Sequence, residues 1–332
     1  MQIIESITKK DEFISTNKSK LQKLSFAKLK SNPLPNNKSE IWRLTSKPKF
    51  SRFLNYEIDD KIANILIPEL PEAKNVIRII IGENKNIELK KNNWEIRQIK
   101  EKEIVSLIKQ EIVDCDTTEN WSNLLNHFLT NKKNIIGLNI SGKRIPDIEI
   151  ICNSKENFLN SKTLILNIEE GTKVNISQIN LGDANSALSI SSYLNIGKDA
   201  VLNHGIISYG DNKSNIINSL NVIQQKNSEY NLGSIQFKFD FARLELSINQ
   251  VEGHAKTNIK GMQITKGNEQ ISTYAKISFN GPNGFLDQLN KSLAKGRSHS
   301  VFEGLIIVPQ IAQKTDASQL SRNLLLSNYA KI

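Results

Sequence analysis

From about residue 134 onward the chain consists of short runs that alternate apolar and polar residues, and no helical period interrupts them between about 161 and 280. "TLILNIEEG", "KVNISQINLGD", "ALSISSYLNIG", "VLNHGIISYGD" and "ARLELSINQ" follow in turn, with the two-residue period of a half-buried strand. Gly171, Gly182-Asp183, Gly197, Gly210-Asp211, Gly233 and Gly253 punctuate them as turn residues. A βαβ sheet needs a crossover helix between its strands, so that class is excluded. Two all-β architectures remain: a large antiparallel sandwich and a parallel β-helix. No Asn-Gly hairpin turn recurs between the strands, which favours the solenoid slightly. The alternation itself does not reveal strand direction, and both stay open on pattern alone.

The preceding part reads differently. Phe13, Ile14, Leu21 and Leu24 share one helical face, and Ser31-Asn32-Pro33-Leu34-Pro35 stops any helix there. "EIWRLTSKPKFSRFL" is an aromatic-anchored segment of undetermined secondary structure, and "NVIRIIIG" (75–82) is a buried-strand pattern. Ile104, Ile108 and Ile112 recur at helical spacing. Asp116 and Glu119 resemble a capping pair before Trp121, Leu124, Leu125 and Phe128, again one helical face. The expected organisation is a helix-rich N-terminal domain, 1–133, and a β core, 134–332.

Charge invites a nucleic-acid reading: the 332 residues carry 44 Lys+Arg against 34 Asp+Glu, a net +10. The lysines are spread along the chain and form no basic stripe with interleaved aromatics. Lys, Asn and Ile are over-used together, the bias an AT-rich genome produces. The N-terminus is not a signal peptide, because Glu5, Asp11 and Glu12 interrupt its short apolar run. No stretch reaches the ~18–20 apolar residues of a membrane span. Two cysteines, Cys115 and Cys152, make neither a disulfide framework nor a Cys-rich zinc site. The expectation is a cytoplasmic chain with reduced thiols, bound to no membrane and no nucleic acid.

Few residues offer chemistry. Cys152 closes the strand "IEIIC", outside any CxxC pair, and a free cysteine usually packs as a small hydrophobe. His127 sits beside Phe128 on a predicted helix, while His204, His254 and His299 lie on or near strands. Cys152, His204, His254 and His299 are therefore weak candidates for metal ligation, which needs several convergent partners. The Ser298-His299-Ser300 run suggests a hydrolase, but neighbours on a strand point to opposite faces. There is no phosphate loop of the GxxxxGK[ST] type, so ATP hydrolysis is not expected. A β-helix carbohydrate-active enzyme would need paired carboxylates on one face, whereas Asp183, Asp199 and Asp211 sit at turns. That enzyme and a basic nucleic-acid binder are the alternative functions; no catalytic residue is assigned.

The C-terminal stretch narrows the choice. "KGRSHSVFEGLIIVPQIAQKTDASQLSRNLLLSNYAKI" carries in order Arg297-Ser298, Val301-Phe302, Gly304, Val308, Ala312-Gln313-Lys314-Thr315-Asp316, Gln319, Asn323 and Leu324-Leu325-Leu326. This series resembles the C-terminal core signature of the SufB/SufD family of iron–sulfur cluster assembly proteins. Pro35, Glu40, Trp42, Arg43 and Thr45 are similar to the N-terminal pattern of the SufD branch. "ARLELSINQVEGHAKTNIKGM", with Arg243, Gly253 and Gly261, is similar to a family strand pair. Phe279 and Leu286 depart from the pattern, standing where the family often has His and Ser.

The resemblance implies a mainly β fold, a right-handed parallel β-helix behind a helix-rich N-terminal domain. It implies a non-catalytic scaffold subunit pairing with a SufB-like subunit and docking a SufC-like ABC ATPase, with a homodimer as another pairing. An iron–sulfur cluster would be held only transiently in that complex, with no cofactor bound stably by this chain. The partner interface is expected to involve Asn323, Leu324, Leu325 and Leu326. The family pattern continues into a Cys-Ser-His-Gly-Ala segment and C-terminal helices, so this sequence is expected to be C-terminally truncated.

Overall fold

A computed structural model describes residues 19–31, 35, 39–58, 75–83, 87–114 and 120–332. Before residue 135 it contains α1 (Lys20–Ser31), a 3-10 turn (Glu40–Trp42), α2 (Lys47–Asn55), β1 (Glu57–Ile58), β2 (Val76–Ile80), β3 (Glu88–Lys91), β4 (Trp94–Gln98), α3 (Glu101–Asp114) and α4 (Trp121–Leu129). Then strands alone follow: β5 (Ile135–Gly142), β6 (Asp147–Asn153), β7 (Phe158–Ile168), β8 (Lys173–Leu181), β9 (Ala187–Ile196), β10 (Val201–Tyr209) and β11 (Asn215–Gln224). The series ends with β12 (Glu229–Phe237), β13 (Phe241–Gln250), β14 (Lys256–Thr265), β15 (Gln270–Phe279), β16 (Phe285–Ala294), β17 (His299–Ile307) and β18 (Asp316–Leu325).

From β5 onward odd and even strands separate into two sheets, ordered β17-β15-β13-β11-β9-β7-β5-β4-β3 and β18-β16-β14-β12-β10-β8-β6-β2. Among β5 to β18 every mutual pairing is parallel. The chain thus winds as a parallel β-helix of about seven coils, and the sandwich alternative is gone. The register explains the sequence. Leu166, Leu194, Val222, Ile248 and Ile277 lie directly above one another, all buried. Each contributes roughly 1.5–3 kcal/mol on leaving water.

Turn chemistry closes each coil. Gly171, Asp199, Asn227, His254, Asn283 and Lys314 each sit two residues before an even strand, with φ between 54° and 67°. Glycine, Asn and Asp tolerate this left-handed conformation best. Outside, asparagines form a ladder one coil apart: Asn175 donates to Asp147, Asn203 to Asn175, Asn231 to Asn203 and Asn258 to Asn231, at 2.7–2.9 Å.

The N-terminal part does not stand apart from the coils. β2 pairs with β6 in parallel, while the β3–β4 hairpin lies antiparallel against β5. α1 ends at Ser31 as the prolines require. α3 buries Ile104, Ile108 and Ile112, and α4 buries Trp121, Leu124, Leu125 and Phe128. The helices cover the outer face of the odd-strand sheet, where Ile165, Ala187, Ile217 and Phe241 join Trp42, Phe50, Phe53 and Trp121 in one apolar cluster. Phe13, Ile14, Cys115, Asp116 and Glu119 lie outside the described residues. Among the described residues no helix is long and apolar enough to cross a membrane.

The turn column is testable. Asn227→Gly should be tolerated within about 1 kcal/mol, whereas Asn227→Val, β-branched at positive φ, should cost about 1–3 kcal/mol in the urea unfolding midpoint. Equal stability for the two variants would contradict this account.

Candidate functional site at the helix–solenoid junction

Three residues quoted for the family resemblance meet in space. Arg243, fully buried on the outer face of β13, lies between the rings of Trp42 and Tyr274, its guanidinium carbon 3.8 Å from each ring centre. Its Nη1 donates to Thr45 Oγ1 at 3.0 Å and its Nη2 to the Ile41 carbonyl at 2.8 Å. Its Nε donates to Glu245 Oε1, which the two-residue strand period puts on the same face. Glu245 also accepts from Ser122 Oγ and Ser219 Oγ, both at 3.0 Å, so α4, β11 and β13 share one carboxylate. A planar fork with two stacking faces suits this place; a lysine ammonium does not.

The junction extends along the sheet. Gln270 donates to the Leu44 carbonyl at 2.7 Å, accepts from the Ser46 amide at 2.8 Å and lies 3.3 Å from His299 Nδ1. Lys49 and Arg52 of α2 pair with Asp240. Beside Arg243 opens a cleft of about 550 Å³, walled by Glu40, Asn123, Asn221, Tyr274 and Glu303 among others. Tyr274 Oη and Glu303 Oε2 are sealed from solvent with no hydrogen-bond partner. Burial pushes the Glu303 carboxyl up, and Glu40 pushes it further, against the opposing pull of Arg43 and Arg243.

Inside the solenoid, a polar file interrupts the apolar filling. Cys152, Asn180, Ser208, Gln236, Gln263, Ser292 and Asn323 stand in register from β6 to β18. Asn180 donates to Ser208 Oγ at 3.0 Å, Gln236 and Gln263 donate to Thr273 Oγ1 at 3.0 and 2.6 Å, and Ser300 donates to Gln263 Oε1 at 2.6 Å. Lys162 enters at the Cys152 end, donating to the Ile81 carbonyl at 2.7 Å and Asn134 Oδ1 at 3.0 Å. Burial pushes its ammonium down to about 8.

The SUF system FeS cluster assembly SufBD core domain model matches residues 150–332, more than half of the chain. The chain belongs to the SufBD family. An iron–sulfur cluster assembly SufBD family protein of Synechocystis is 33% identical over 144 residues, 43% of this chain and 32% of that protein. The chloroplastic protein ABCI7 of Arabidopsis thaliana is 28% identical over 138 residues, 41% of this chain and 29% of that protein. The iron–sulfur cluster assembly protein SufD of Plasmodium berghei is 29% identical over 181 residues, 53% of this chain and 13% of that protein. The first two matches span about a third of those relatives' length. The matched SufBD core begins within β6 and takes in the later coils, while the Trp42–Thr45 clamp lies before it.

Within this SufBD-family chain the predicted ligands are dispersed. Cys152 faces the interior, fully buried, and burial pushes its thiol up to about 12 against the pull of Lys162; it is a thiol, not the thiolate that binds metal. His204 also points inward, between Ile176 and Leu232 in register. Its Nδ1 lies 3.0 Å from Tyr230 Oη, and burial takes it down to about 4. His254 is an exposed turn residue, its Nε2 3.2 Å from Asn283 Nδ2. His299 is half-buried beside Gln270, on the opposite face from the inward Ser298 and Ser300. His127 is buried under α4, 2.7 Å from Tyr193 Oη, and burial lowers it to about 3. Among the described residues no three His, Cys, Asp or Glu side chains gather to hold a metal ion. Asn323, Leu324, Leu325 and Leu326 are all exposed on or beside the last strand.

Sequence reasoning singled out Arg243, Trp42 and Thr45 only through the family pattern, and passed over Glu245, Tyr274, Gln270 and Glu303. Ser219, Glu245, Tyr274 and Glu303 in fact form one in-register column. Their polar outward positions on strands whose helix-covered neighbours are apolar were the available signal.

Arg243→Met should lower unfolding stability by about 3–5 kcal/mol, the cost of leaving Glu245 without its buried cation. Limited proteolysis should then cut the segment around Trp42 faster; unchanged cleavage would contradict the clamp. Acid sensitivity follows from His204. Its folded-state pKa lies below the unfolded one, so the unfolded chain takes up the proton first. The stabilisation is complete above pH ~6.5 and is lost as pH falls towards ~4. Replacing it by His204→Gln should remove on the order of 3 kcal/mol of that acid-side slope, measured by urea titrations at stepped pH.

Proposed function

We propose that this chain is a non-catalytic, SufD-like scaffold subunit of iron–sulfur cluster assembly, paired with a SufB-like subunit and served by a SufC-like ATPase. The observation that carries the reading is the match of the SufBD core over residues 150–332, laid on a parallel β-helix. The resemblance puts the partner interface at Asn323 to Leu326, and Leu324, Leu325 and Leu326 each stand 53% exposed. The family membership names the machinery, and the expected SUF partners supply chemistry that this chain's residues do not: it has no phosphate loop, and its buried thiol is protonated.

The iron–sulfur cluster is then cargo of the assembled complex, met transiently and held stably by no cofactor site of this chain. Of the four candidate ligands, direct iron contact would fall to His254 or His299, since Cys152 and His204 are closed inside the coils. We read the complex as cytoplasmic. A tagged version co-expressed with the SufB-like and SufC-like proteins of the same genome should retain both. Leu324→Asp with Leu325→Asp should cut recovery of the SufB-like subunit by about tenfold, a loss of about 1.4 kcal/mol or more, at unchanged circular dichroism. Recovery of neither partner by the unmodified chain would refute the reading.

A further inference from the structure

We infer that this chain pairs with a second copy of itself through the outer face of the even-strand sheet. Among the described residues the helices pack on the odd-strand sheet. The even-strand sheet is apolar outside as well. Leu181, Tyr209, Phe237, Ile264 and Leu293 stand in register from β8 to β16, and Ile179, Ile207, Ile235 and Met262 run beside them. They alternate with the inward Asn180, Ser208, Gln236 and Gln263, so they face outward. Ile207 is 42% and Tyr209 40% exposed, and the others are half-buried. A contiguous ridge of this kind marks a contact surface, which scattered surface apolar residues do not.

The occupant follows from how this face matches itself. A two-fold axis along β12, between two such faces, keeps strand direction and reverses coil order. Then β8 of one copy meets β16 of the other, and β10 meets β14, reciprocally. The outward column beside the ridge reads Ser177, Gly205, Gly233, Lys260 and Leu289, small on the early coils and large on the late ones. Reversal lays Leu289 over Ser177 and the Lys260 stem over Gly205, with Gly233 facing itself. The space exists: a Cβ at Gly233 would meet nothing within 4 Å, and one at Gly205 only Ser177 Oγ, at 3.8 Å. Charge is arranged the same way. Two residues past the ridge, Asp183 and Asp211 follow β8 and β10, whereas Lys266 and Lys295 follow β14 and β16. Reversal brings Asp183 to Lys295 and Asp211 to Lys266. Glu229 and Lys238, on the axis coil, meet their own copies. Glu229 accepts from Asn231 at 2.8 Å, and Lys238 donates to Tyr209 Oη at 2.9 Å, so both are already turned along the face. Lys291, in line with the ridge, comes over Ile179 at the patch end. Five coils of nine- and ten-residue strands make a face of about 24 by 30 Å, close to the ~800 Å² that each partner buries in a stable interface.

Sedimentation velocity of the whole chain from about 1 to 100 µM tests this. A monomer–dimer equilibrium with a dissociation constant of about 1–50 µM is expected. Gly233→Val, which suits a strand better than glycine, should melt no lower than the unmodified protein and weaken the dimer by about tenfold or more. Asp183→Lys and Lys295→Asp should each weaken it by about threefold. The double variant should regain the original affinity, a rescue that requires early coils to meet late ones. Leu325→Asp, on the inward side of the last strand, should change nothing. A monomer throughout the concentration range overturns the inference. So does a dimer that Gly233→Val leaves intact, that the double variant fails to restore, or that Leu325→Asp disrupts.

Discussion

The coil turn is the constraint on which this molecule depends. A parallel solenoid must reverse its chain at the end of every strand, and each reversal before an even strand passes through a residue at positive φ. Once that residue is fixed, the next strand falls into register about 28 residues on, as the side-chain ladder shows. Inward positions then stack over inward positions. The Leu166–Leu194–Val222–Ile248–Ile277 column is a consequence of turn geometry as much as of hydrophobicity, because a one-residue slip would turn each strand's buried set outward.

The same register explains why chemistry-bearing residues are poor ligands here. A side chain pointing inward, such as Cys152 or His204, is stripped of water and held neutral. One pointing to the covered outer face, such as Arg243, is spent on holding the helices. The polar file from Cys152 to Ser292 runs through the interior, and among the described residues no cluster of metal ligands gathers on it. Its asparagine, glutamines and serines hydrogen-bond to one another and to Thr273 and Ser300, which keeps buried polar groups paired. Polar partners also restrict how adjacent coils can slide, which an all-aliphatic filling would resist less.

Much of this was legible in sequence. The two-residue period announced strands, the absence of a helical period excluded crossover helices, and Ile104, Ile108 and Ile112 announced α3. The prolines after Ser31 marked the end of α1. Strand direction was not legible, because alternation is identical in parallel and antiparallel strands; the family resemblance supplied it. The asparagine surplus was read as compositional bias, yet Asn175, Asn203, Asn231 and Asn258 form a ladder, and Asn227 and Asn283 occupy left-handed turns. That role depends on register, which a single sequence does not display. The cleft was invisible for the same reason: Glu245, Tyr274 and Glu303 are each about a coil apart, and only stacking makes them neighbours.

A solenoid contacts only its neighbouring coils, so its two ends communicate through a stack of nearest-neighbour interfaces. In this chain the outer face is not uniform along that stack. The Arg243 clamp and the Asp240 pairs tie the N-terminal segment to coils in the C-terminal half, although β2 and β4 begin the opposite end. The N-terminal region therefore bridges first and later coils and resists torsion between them.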